Sequence, residues 1–465
     1  MIAMNRLILL LVFSLALAAA KPPVYVMLWF DTEDYIHPAA DDAALRIATD
    51  LARMNVRATF KVVGEKARIL ETRGRDDVIR ALSFHDIGYH SNFHSIQPTP
   101  ALYLNGMGWL EGAAEFERRE RSGVQDVQRV FGVLPGCYGQ PGSSWAPQSY
   151  PALLRLGIPV YLDEGTQVGI DNQPFWFGGM LNVFNMGPYA IRPNLDDEAA
   201  LPALLERFDR AAAALRARGG GVISTYFHPT EFVTAQFWDA ANFARGANPE
   251  RGQWRLPPQR TQQDSEQRFR IMLRYVEHAR SAEDVRFVTA REVAQLYRSA
   301  HVRSVNRAAI AAHMAARQTF LVADGVSLSP ADMLLALLGM ESRYVDGPSD
   351  SGKGTLTAGE IARPIFERAK ADVASFIRAN GRLPAQLWIG AQTLMLADFA
   401  ATLAADDGVS PAILLRQGNP EMEKYIATDP ARPFDWVIHP AGFQAPHLLD
   451  QARLQAWTLK PAVLR

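Results

Sequence analysis

An unbroken apolar run at residues 24–30 constrains the fold of this chain more than any other sequence feature. The run has the length of a strand and no alternation of polar with apolar residues, which predicts a strand buried on both faces. A helical pattern follows at residues 42–55, and a second strand pattern at residues 58–63. A strand, a helix and another strand in succession form the unit from which parallel sheets are built.

The same alternation continues through the first two thirds of the chain. Further strand patterns lie at residues 133–138, 158–162, 221–227 and 285–289, and long helical patterns lie at residues 201–218 and 264–280. Together these patterns predict an α/β fold with a mostly parallel sheet, which is either open or closed into a barrel.

The character of the sequence changes near Ala300. Beyond this residue strand-like runs become rare, and helical patterns such as residues 331–338 and 361–380 dominate. A chain of 465 residues also exceeds the size of roughly 250–300 residues at which a single core stops growing. We therefore predict one domain over residues 21–300 and a second, mainly α-helical domain over residues 301–465.

Residues 1–20 have the composition of a secretory signal peptide. Arg6 precedes an apolar run at residues 7–20 that ends in small residues, as cleaved signals do. The alternative is an uncleaved membrane anchor, but about 14 apolar residues fall short of the ~20 that span a bilayer. The pattern predicts export to the periplasm or the cell exterior, with no membrane span after cleavage.

Charge and cysteine content exclude several classes of protein. The 48 basic and 49 acidic residues give a formal net charge of -1, so the chain has no overall positive field to hold nucleic acid. Cys137 is the single cysteine of the sequence. It excludes an internal disulfide and any cysteine-rich metal centre.

Three carboxylates follow the first apolar run directly: Asp31, Glu33 and Asp34. In parallel sheets and barrels the carboxyl ends of the strands carry the active site. Because side chains alternate along a strand, Asp31 and Glu33 should point the same way and Asp34 should point away. The alternative interpretation is a solvated acidic turn that caps the next helix.

Histidines supply the second set of candidate residues. His90 and His94 lie four residues apart, so a helical turn or a tight loop can bring both imidazoles to one point. Two neutral imidazoles and a carboxylate suit zinc or a similar divalent ion. Asp163 and His228 each end a strand pattern, and a histidine can act as a general acid near neutral pH. A histidine that is simply hydrogen-bonded in a loop is the alternative for His228.

These segments resemble the motifs of the polysaccharide deacetylase family, which shares the NodB homology domain. Residues 30–34 (Phe-Asp-Thr-Glu-Asp) stand in the place of its acidic motif, and residues 85–95 (His-Asp-Ile-Gly-Tyr-His-Ser-Asn-Phe-His-Ser) in the place of its His-x-x-x-His motif. Residues 137–142 correspond to its third motif, Asp163 to the acid of the fourth and His228 to the histidine of the fifth. The five motifs follow in the family's order over about residues 24–296.

The resemblance implies a distorted (β/α) barrel, one divalent metal ion, expected to be zinc, and hydrolysis of an N- or O-acetyl group from a glycan. It implies a metal-binding acid, for which Glu33 is the first choice and Asp34 the second, and it assigns a role to each of the other motif residues. We therefore expect metal binding by Glu33, His90 and His94. Asp31 should act as the base and His228 as the acid, with Asp163 orienting a neighbour. The substrate should contact Gln140, Pro141 and Trp145.

Two departures from the family pattern leave alternatives open. Thr32 breaks the usual pair of adjacent aspartates, and Gln140 stands where the third motif carries an arginine that tunes the catalytic base. An inactive barrel that only binds a glycan is therefore an alternative to the deacetylase. Hydrolysis of a non-glycan C–N amide bond by the same barrel is a further one.

The C-terminal part carries a second, shorter resemblance. Residues 365–390 are similar to the pseudomurein-binding repeat, with a helix, an Asn-Gly-x-Leu-Pro turn and an apolar strand. Residues 328–337 and 394–403 also resemble each other, which suggests a repeated helical unit. The resemblance implies attachment to a cell-wall polymer, so the expected partner is an acetylated glycan or wall polymer. A helical appendage with a purely structural role is the alternative.

Overall fold

The computed structural model describes residues 21–297 and 306–464. The predicted signal peptide lies outside these residues, and so does the predicted domain boundary at Ala300. In the part of the chain that the structure describes, no helix combines the length and the apolar character needed to span a bilayer.

The first part of the chain alternates strands with helices, as predicted. Its strands are β1 (Val24–Thr32), β2 (Thr59–Val62), β3 (Asp86–Tyr89), β4 (Val160–Leu162), β5 (Phe175–Phe177), β6 (Met180–Val183), β7 (Ala190–Ile191), β8 (Gly221–Phe227) and β9 (Val285–Val288). Its helices are α1 (Pro38–Arg53), α2 (Gly64–Thr72), α3 (Asp76–Ser83), α4 (Pro100–Leu104), α5 (Trp109–Phe131), α6 (Ser149–Arg155), α7 (Leu201–Ala217), α8 (Trp238–Asn242), α9 (Gln262–Ser281) and α10 (Ala290–Leu296).

Strand β1 is the centre of the sheet. It pairs in parallel with β8 along one edge, and along the other edge with β9 near its start and β2 near its end. Every residue of β1 is buried, which is why the sequence shows a continuous apolar run rather than alternation. Phe30 stacks on Phe60 of β2 with ring centroids 4.8 Å apart, so the core continues from strand to strand.

The strands curve into a distorted (β/α) barrel, which confirms the predicted fold class. Parallel pairing runs from β7 through β8, β1 and β2 to β3, and β4 pairs in parallel with β6. Tyr138 joins the two sets, because it forms parallel bridges to Tyr89 and to Tyr161. The strand predicted at residues 133–138 is otherwise wrong, since Pro135 lacks the backbone donor that a sheet ladder needs.

The C-terminal part contains five helices and seven short strands within residues 306–464: α11 (Arg307–Ala316), β10 (Leu321–Ala323), β11 (Val326–Leu328), α12 (Pro330–Leu337), β12 (Glu360–Ala362), α13 (Arg363–Asn380), β13 (Gln386–Ile389), β14 (Gln392–Met395), α14 (Leu396–Ala405), β15 (Ala412–Leu414), α15 (Pro446–Gln455) and β16 (Lys460–Pro461). A helix, a β-hairpin and a second helix occur twice in succession, as α11–β10–β11–α12 and α13–β13–β14–α14. The two similar sequence segments occupy matching places in these units, at the second hairpin strand and the following helix.

The end of the chain returns to the barrel. Strand β16 pairs antiparallel with β5, and β5 pairs with β6 of the barrel sheet. Buried residues from Val24 to Ala462 belong to one continuous hydrophobic core. The two parts therefore share apolar packing, and the division into separate domains at residue 300 stays a prediction.

Candidate active site

The carboxyl end of β1 places the acidic segment at the mouth of the barrel. Asp31 and Glu33 are buried and line one cavity, as their spacing predicts. Asp34 points elsewhere: its Oδ1 accepts hydrogen bonds from the backbone N–H groups of Ile36 and His37, each at 3.0 Å, and its Oδ2 accepts one from Thr230 Oγ1 at 2.7 Å. The first two contacts fix a turn and the third ties it to Thr230, so Asp34 is a structural residue here rather than a candidate ligand.

His90 and His94 belong to a tight loop after β3. Ser91 and His94 both have a positive φ, of 63° and 57°, a conformation that costs free energy in residues other than glycine. The loop is held by a buried carboxylate, because Glu120 of α5 accepts a hydrogen bond from the Asn92 backbone N–H at 2.8 Å. Burial raises the pKa of Glu120 to about 7. The strained loop turns both imidazoles towards Glu33.

Glu33, His90 and His94 bring three ligand atoms to one point. Glu33 Oε2 lies 3.3 Å from His90 Nε2 and 3.0 Å from His94 Nε2. The second nitrogen of each ring is also engaged, His90 Nδ1 with Gly139 O at 3.0 Å and His94 Nδ1 with Ser95 Oγ at 2.6 Å. Metal-binding histidines are usually oriented by such partners. The buried donor set of two imidazoles and one carboxylate fits a zinc-like ion.

A second group of possible ligands, formed by Asp31, His90 and Asp163, lies beside the first. Its carboxylates already share a cation, because Lys61 Nζ lies 2.9 Å from Asp31 Oδ1 and 2.7 Å from Asp163 Oδ2. An ion at this place would meet the ammonium group, and like charges a few ångströms apart repel strongly in a buried site. We therefore favour Glu33, His90 and His94 as the ligands.

Lys61 is the most important residue that the motifs do not contain. It lies opposite Asp31 in the register of β1 with β2, is fully buried, and its ammonium lies 4.1 Å from the centre of the Trp29 ring. Burial alone would lower the pKa of Lys61, but Asp163 and Asp31 outweigh it and raise that pKa. A lysine between Phe60 and Val62, within the strand pattern of residues 58–63, is the signal that could have drawn attention to it.

Asp31 is ionised in these surroundings. Burial would raise the pKa of Asp31, but the interactions with His90, Lys61 and His228 lower it below its ordinary value. The pKa of Asp163 moves the other way, because the effect of burial exceeds the attraction of Lys61. The two acids that share one lysine are thus unequal, and Asp31 is the stronger acid.

His228 follows β8 and faces Asp31, with His228 Nε2 3.5 Å from Asp31 Oδ2. Glu231, three residues further on, accepts a hydrogen bond from the His228 backbone N–H at 2.8 Å and pairs with Arg192 at 2.7 Å. Burial would lower the pKa of His228, but the interaction of its ring with the Glu231 carboxylate (Nδ1 to Oε1, 3.8 Å) and the charge of Glu33 raise it above its ordinary value. No sequence motif indicated that Arg192 belongs here.

A cavity of about 340 Å³ is lined by Asp31, Glu33, His90, His94 and His228. Gln140 lines this cavity and donates a hydrogen bond from Nε2 to Glu164 O at 3.3 Å, whereas Pro141 is buried in the loop and is absent from the lining. Trp145 is fully buried and packs on Tyr150 and Phe177. Its predicted contact with substrate is wrong, because packing inside the barrel leaves no ring face towards the cavity.

The fold and the site together define a (β/α) barrel with a candidate metal site at its mouth. No protein-family model matches the chain, and no curated protein matches it. Solved structures similar to it include a protein from Mycobacterium smegmatis assigned as a polysaccharide deacetylase, with 15% identity, 60% of this chain and 91% of that chain covered, and a TM-score of 0.40.

Two further solved structures are similar over the same part of the chain. Puue allantoinase has 14% identity, with 60% of this chain and 92% of that chain covered and a TM-score of 0.39. A CE4 family pseudoenzyme from Bacillus anthracis has 11% identity, with 58% and 65% covered and a TM-score of 0.31. Polysaccharide deacetylases are thus among the structures that the chain is similar to, as the motif resemblance predicted.

Proposed function

We propose that this protein is an exported, metal-dependent hydrolase that removes acetyl groups from a glycan. The observation that carries the proposal is the convergence of three kinds of group in one cavity. They are the ligand set of Glu33, His90 and His94, the ionised Asp31 beside Lys61, and His228 on the opposite side of Asp31. Export rests on the pattern of residues 1–20.

A divalent ion held by Glu33, His90 and His94 supplies, when bound, Lewis-acid polarisation of the scissile acetyl carbonyl. The chain's own residues then divide the proton transfers. Asp31, kept ionised by Lys61, accepts a proton from the attacking water. His228, whose raised pKa favours the protonated ring, donates a proton to the amine or alcohol that leaves. Asp163 orients Lys61 and takes no proton itself.

Lys61 bears on the alternative of an inactive barrel. That alternative depends on the loss of positive charge at Gln140, which replaces an arginine of the family motif. Lys61 brings a buried positive charge to Asp31 from the neighbouring strand, at 2.9 Å. Because the charge is supplied from elsewhere in the fold, the substitution at residue 140 does not leave the base without a cation. We therefore favour an active hydrolase.

Acetate release from a panel of acetylated glycans tests this function. The protein from residue 21 onward is loaded with zinc and incubated with chitin oligosaccharides, acetylated xylan and acetylated peptidoglycan fragments. We expect acetate from at least one of them, and none from the His90→Ala variant, which lacks one of the three protein ligands. Glycan binding without any acetate release would instead favour the inactive barrel, and turnover of simple amides alone would favour the amide hydrolase.

A further inference from the structure

We propose that residues 433–438, here called the C-terminal strap, form one wall of the substrate cavity, and that the indole of Trp436 binds a sugar ring adjoining the acetylated one. This inference rests on the proposed function and names part of its substrate site. It gives the C-terminal part a role in the selection of substrate, because the barrel alone lacks this wall.

The strap is tied to four separate loops of the barrel. Gln167 donates a side-chain hydrogen bond to Pro433 O at 2.6 Å, and Gln97 donates one to Ile438 O at 3.0 Å. The Arg245 backbone N–H donates to Val437 O at 2.7 Å, and the Trp436 backbone N–H donates to Ser143 Oγ at 2.9 Å. Because these hydrogen bonds lie on both sides of Trp436, they hold its position over the barrel mouth.

Apolar packing fixes the strap from beneath. Ile438 is fully buried in a small cluster with Tyr35, Val63 and Trp238. The indole of Trp238 donates a hydrogen bond to Glu33 Oε1 at 3.2 Å, and its ring lies 5.5 Å from that of His94. The strap therefore packs on the same residue that supports two of the candidate metal ligands.

Trp436 itself lies against the cavity. Its indole N–H donates to Asp239 Oδ2 at 2.7 Å, and its ring meets Phe237 edge to face at 6.0 Å. Gly142, with a φ of 52°, has no side chain at this place, and a Cβ there would lie 2.3 Å from Trp436 Cδ1. The loop that carries Gln140 and the strap are thus in direct contact.

The chemistry of this wall suits a carbohydrate. Trp436 keeps 37% of its surface exposed although its indole N–H and backbone N–H are both bonded. An indole fixed in place with free surface offers an apolar platform for the C–H face of a pyranose ring. Asp435 lines the same cavity and is exposed, so its carboxylate oxygens can accept hydrogen bonds from sugar hydroxyls. A small acetyl ester without a second sugar would make none of these contacts.

Two apolar substitutions of Trp436 test whether its indole binds a sugar ring. Trp436→Phe keeps an aromatic ring, whereas Trp436→Leu fills much of the same space without one, so both should fold. Phe84→Leu is the matched control, because Phe84 is 49% exposed at the end of α3 and is absent from the cavity lining. Each variant is loaded with zinc, checked for metal content, and assayed on penta-N-acetylchitopentaose, acetylated xylo-oligosaccharides and 4-nitrophenyl acetate.

We expect Trp436→Leu to raise the KM for an oligosaccharide about tenfold, the size of a lost aromatic contact, while Trp436→Phe raises it less. Turnover of 4-nitrophenyl acetate and zinc content should match the wild type in all three variants. Equal KM values for the Leu and Phe variants would overturn the proposal, and so would a parallel loss of activity on the small ester.

Calorimetric binding of the same oligosaccharides separates this inference from the proposed function. If the wild type releases no acetate but binds an oligosaccharide, and Trp436→Leu weakens that binding about tenfold, the hydrolase proposal fails and the platform stands. If the wild type binds no oligosaccharide, or if Trp436→Leu binds as tightly as the wild type, the platform is overturned.

Discussion

Two neighbouring clusters at the mouth of the barrel bring carboxylates together with different partners. In the first, Glu33, His90 and His94 direct a carboxylate and two imidazoles at one point. In the second, Asp31 and Asp163 share the ammonium of Lys61. The first cluster presents lone pairs that suit a bound ion, and the second carries its own cation within the chain.

The difference follows from where each residue lies in the sheet. Glu33, His90 and His94 are on segments beyond the strand ends, where side chains can converge on a ligand from outside. Lys61 is inside β2, opposite Asp31 in the strand register, and its charge is therefore sealed into the barrel. Buried ion pairs are costly to break by removal of one partner. The proposed function thus assigns metal binding and proton transfer to separate, adjacent places.

The largest expected effect is the loss of metal in Glu33→Gln, with Asp34→Asn as the matched control. Removal of the carboxylate ligand should abolish tight zinc binding and reduce acetate release below roughly 10⁻³ of the wild type, since metal catalysis contributes several kcal/mol. Asp34→Asn should keep stoichiometric zinc, because Asp34 bonds only to a turn and to Thr230. Zinc content, measured by elemental analysis, shows which of the two carboxylates binds the ion. The opposite pattern would transfer the ligand role to Asp34.

Asp31→Asn and His228→Ala should separate catalysis from metal binding. Each variant should keep its zinc and lose about 10²- to 10⁴-fold in kcat, the usual contribution of a general base or acid. The comparison requires acetate release and zinc content to be measured on the same preparations. Loss of zinc from Asp31→Asn would mean that the two clusters work as one ligand set.

Lys61→Met should lower the stability of the fold as well as remove the cation beside Asp31. It leaves Asp31 and Asp163 buried without their cation, which we expect to lower the free energy of unfolding by about 3–5 kcal/mol. Addition of Asp163→Asn should restore part of this loss, because only one carboxylate then remains without a partner. Urea unfolding of the single and double variants measures the stability lost in Lys61→Met and the part that Asp163→Asn restores. A double variant less stable than Lys61→Met would contradict the idea that the lysine neutralises a pair of acids.

The smallest expected effect concerns His85, a histidine outside both clusters whose protonation makes the stability of the fold depend on pH. Burial lowers the pKa of His85 to about 4, and its Nδ1 accepts a hydrogen bond from the Ala58 backbone N–H at 3.2 Å. The unfolded chain binds this proton near pH 6.5, so the stability due to neutral His85 is complete above that pH and declines towards pH 4. The loss amounts to about 3 kcal/mol.

The difference in unfolding free energy between wild type and His85→Gln isolates this contribution. Measured in urea at pH 7.5, 6.0 and 4.5, the advantage of the wild type should shrink as the pH falls. The contribution of the metal site is common to both proteins and cancels. A constant difference across the three pH values would show that His85 does not titrate with unfolding.

Much of the barrel could be predicted from the chain, because its strands are buried on both faces and leave continuous apolar runs. Strand β8 was predicted with its observed bounds, and β1 was predicted to within two residues. The prediction of a strand at residues 133–138 failed because apolar content does not show which residues pair in a sheet where a proline removes a backbone donor. The prediction for Trp145 failed because a sequence does not tell whether a tryptophan near the mouth of a barrel lines the cavity or is buried in packing.

The sequence by itself determined the local parts of the site: the acids after β1, the His-x-x-x-His loop and the histidine after β8. Alternation along β1 was enough to separate Asp31 and Glu33 from Asp34, because it is a property of any extended backbone. These features depend on neighbours in the chain, and such neighbours are visible in a single sequence.

Only the tertiary structure decided which distant residues complete the site. Lys61 reaches Asp31 through the register of two strands, Arg192 reaches Glu231 across a loop, and Trp436 reaches Asp239 from a segment 197 positions away in sequence. Each of these contacts joins residues that are separated in the chain and adjacent only after the barrel has closed. The positions of these residues follow from packing over the whole molecule, and no local pattern of residue types encodes the contacts between them.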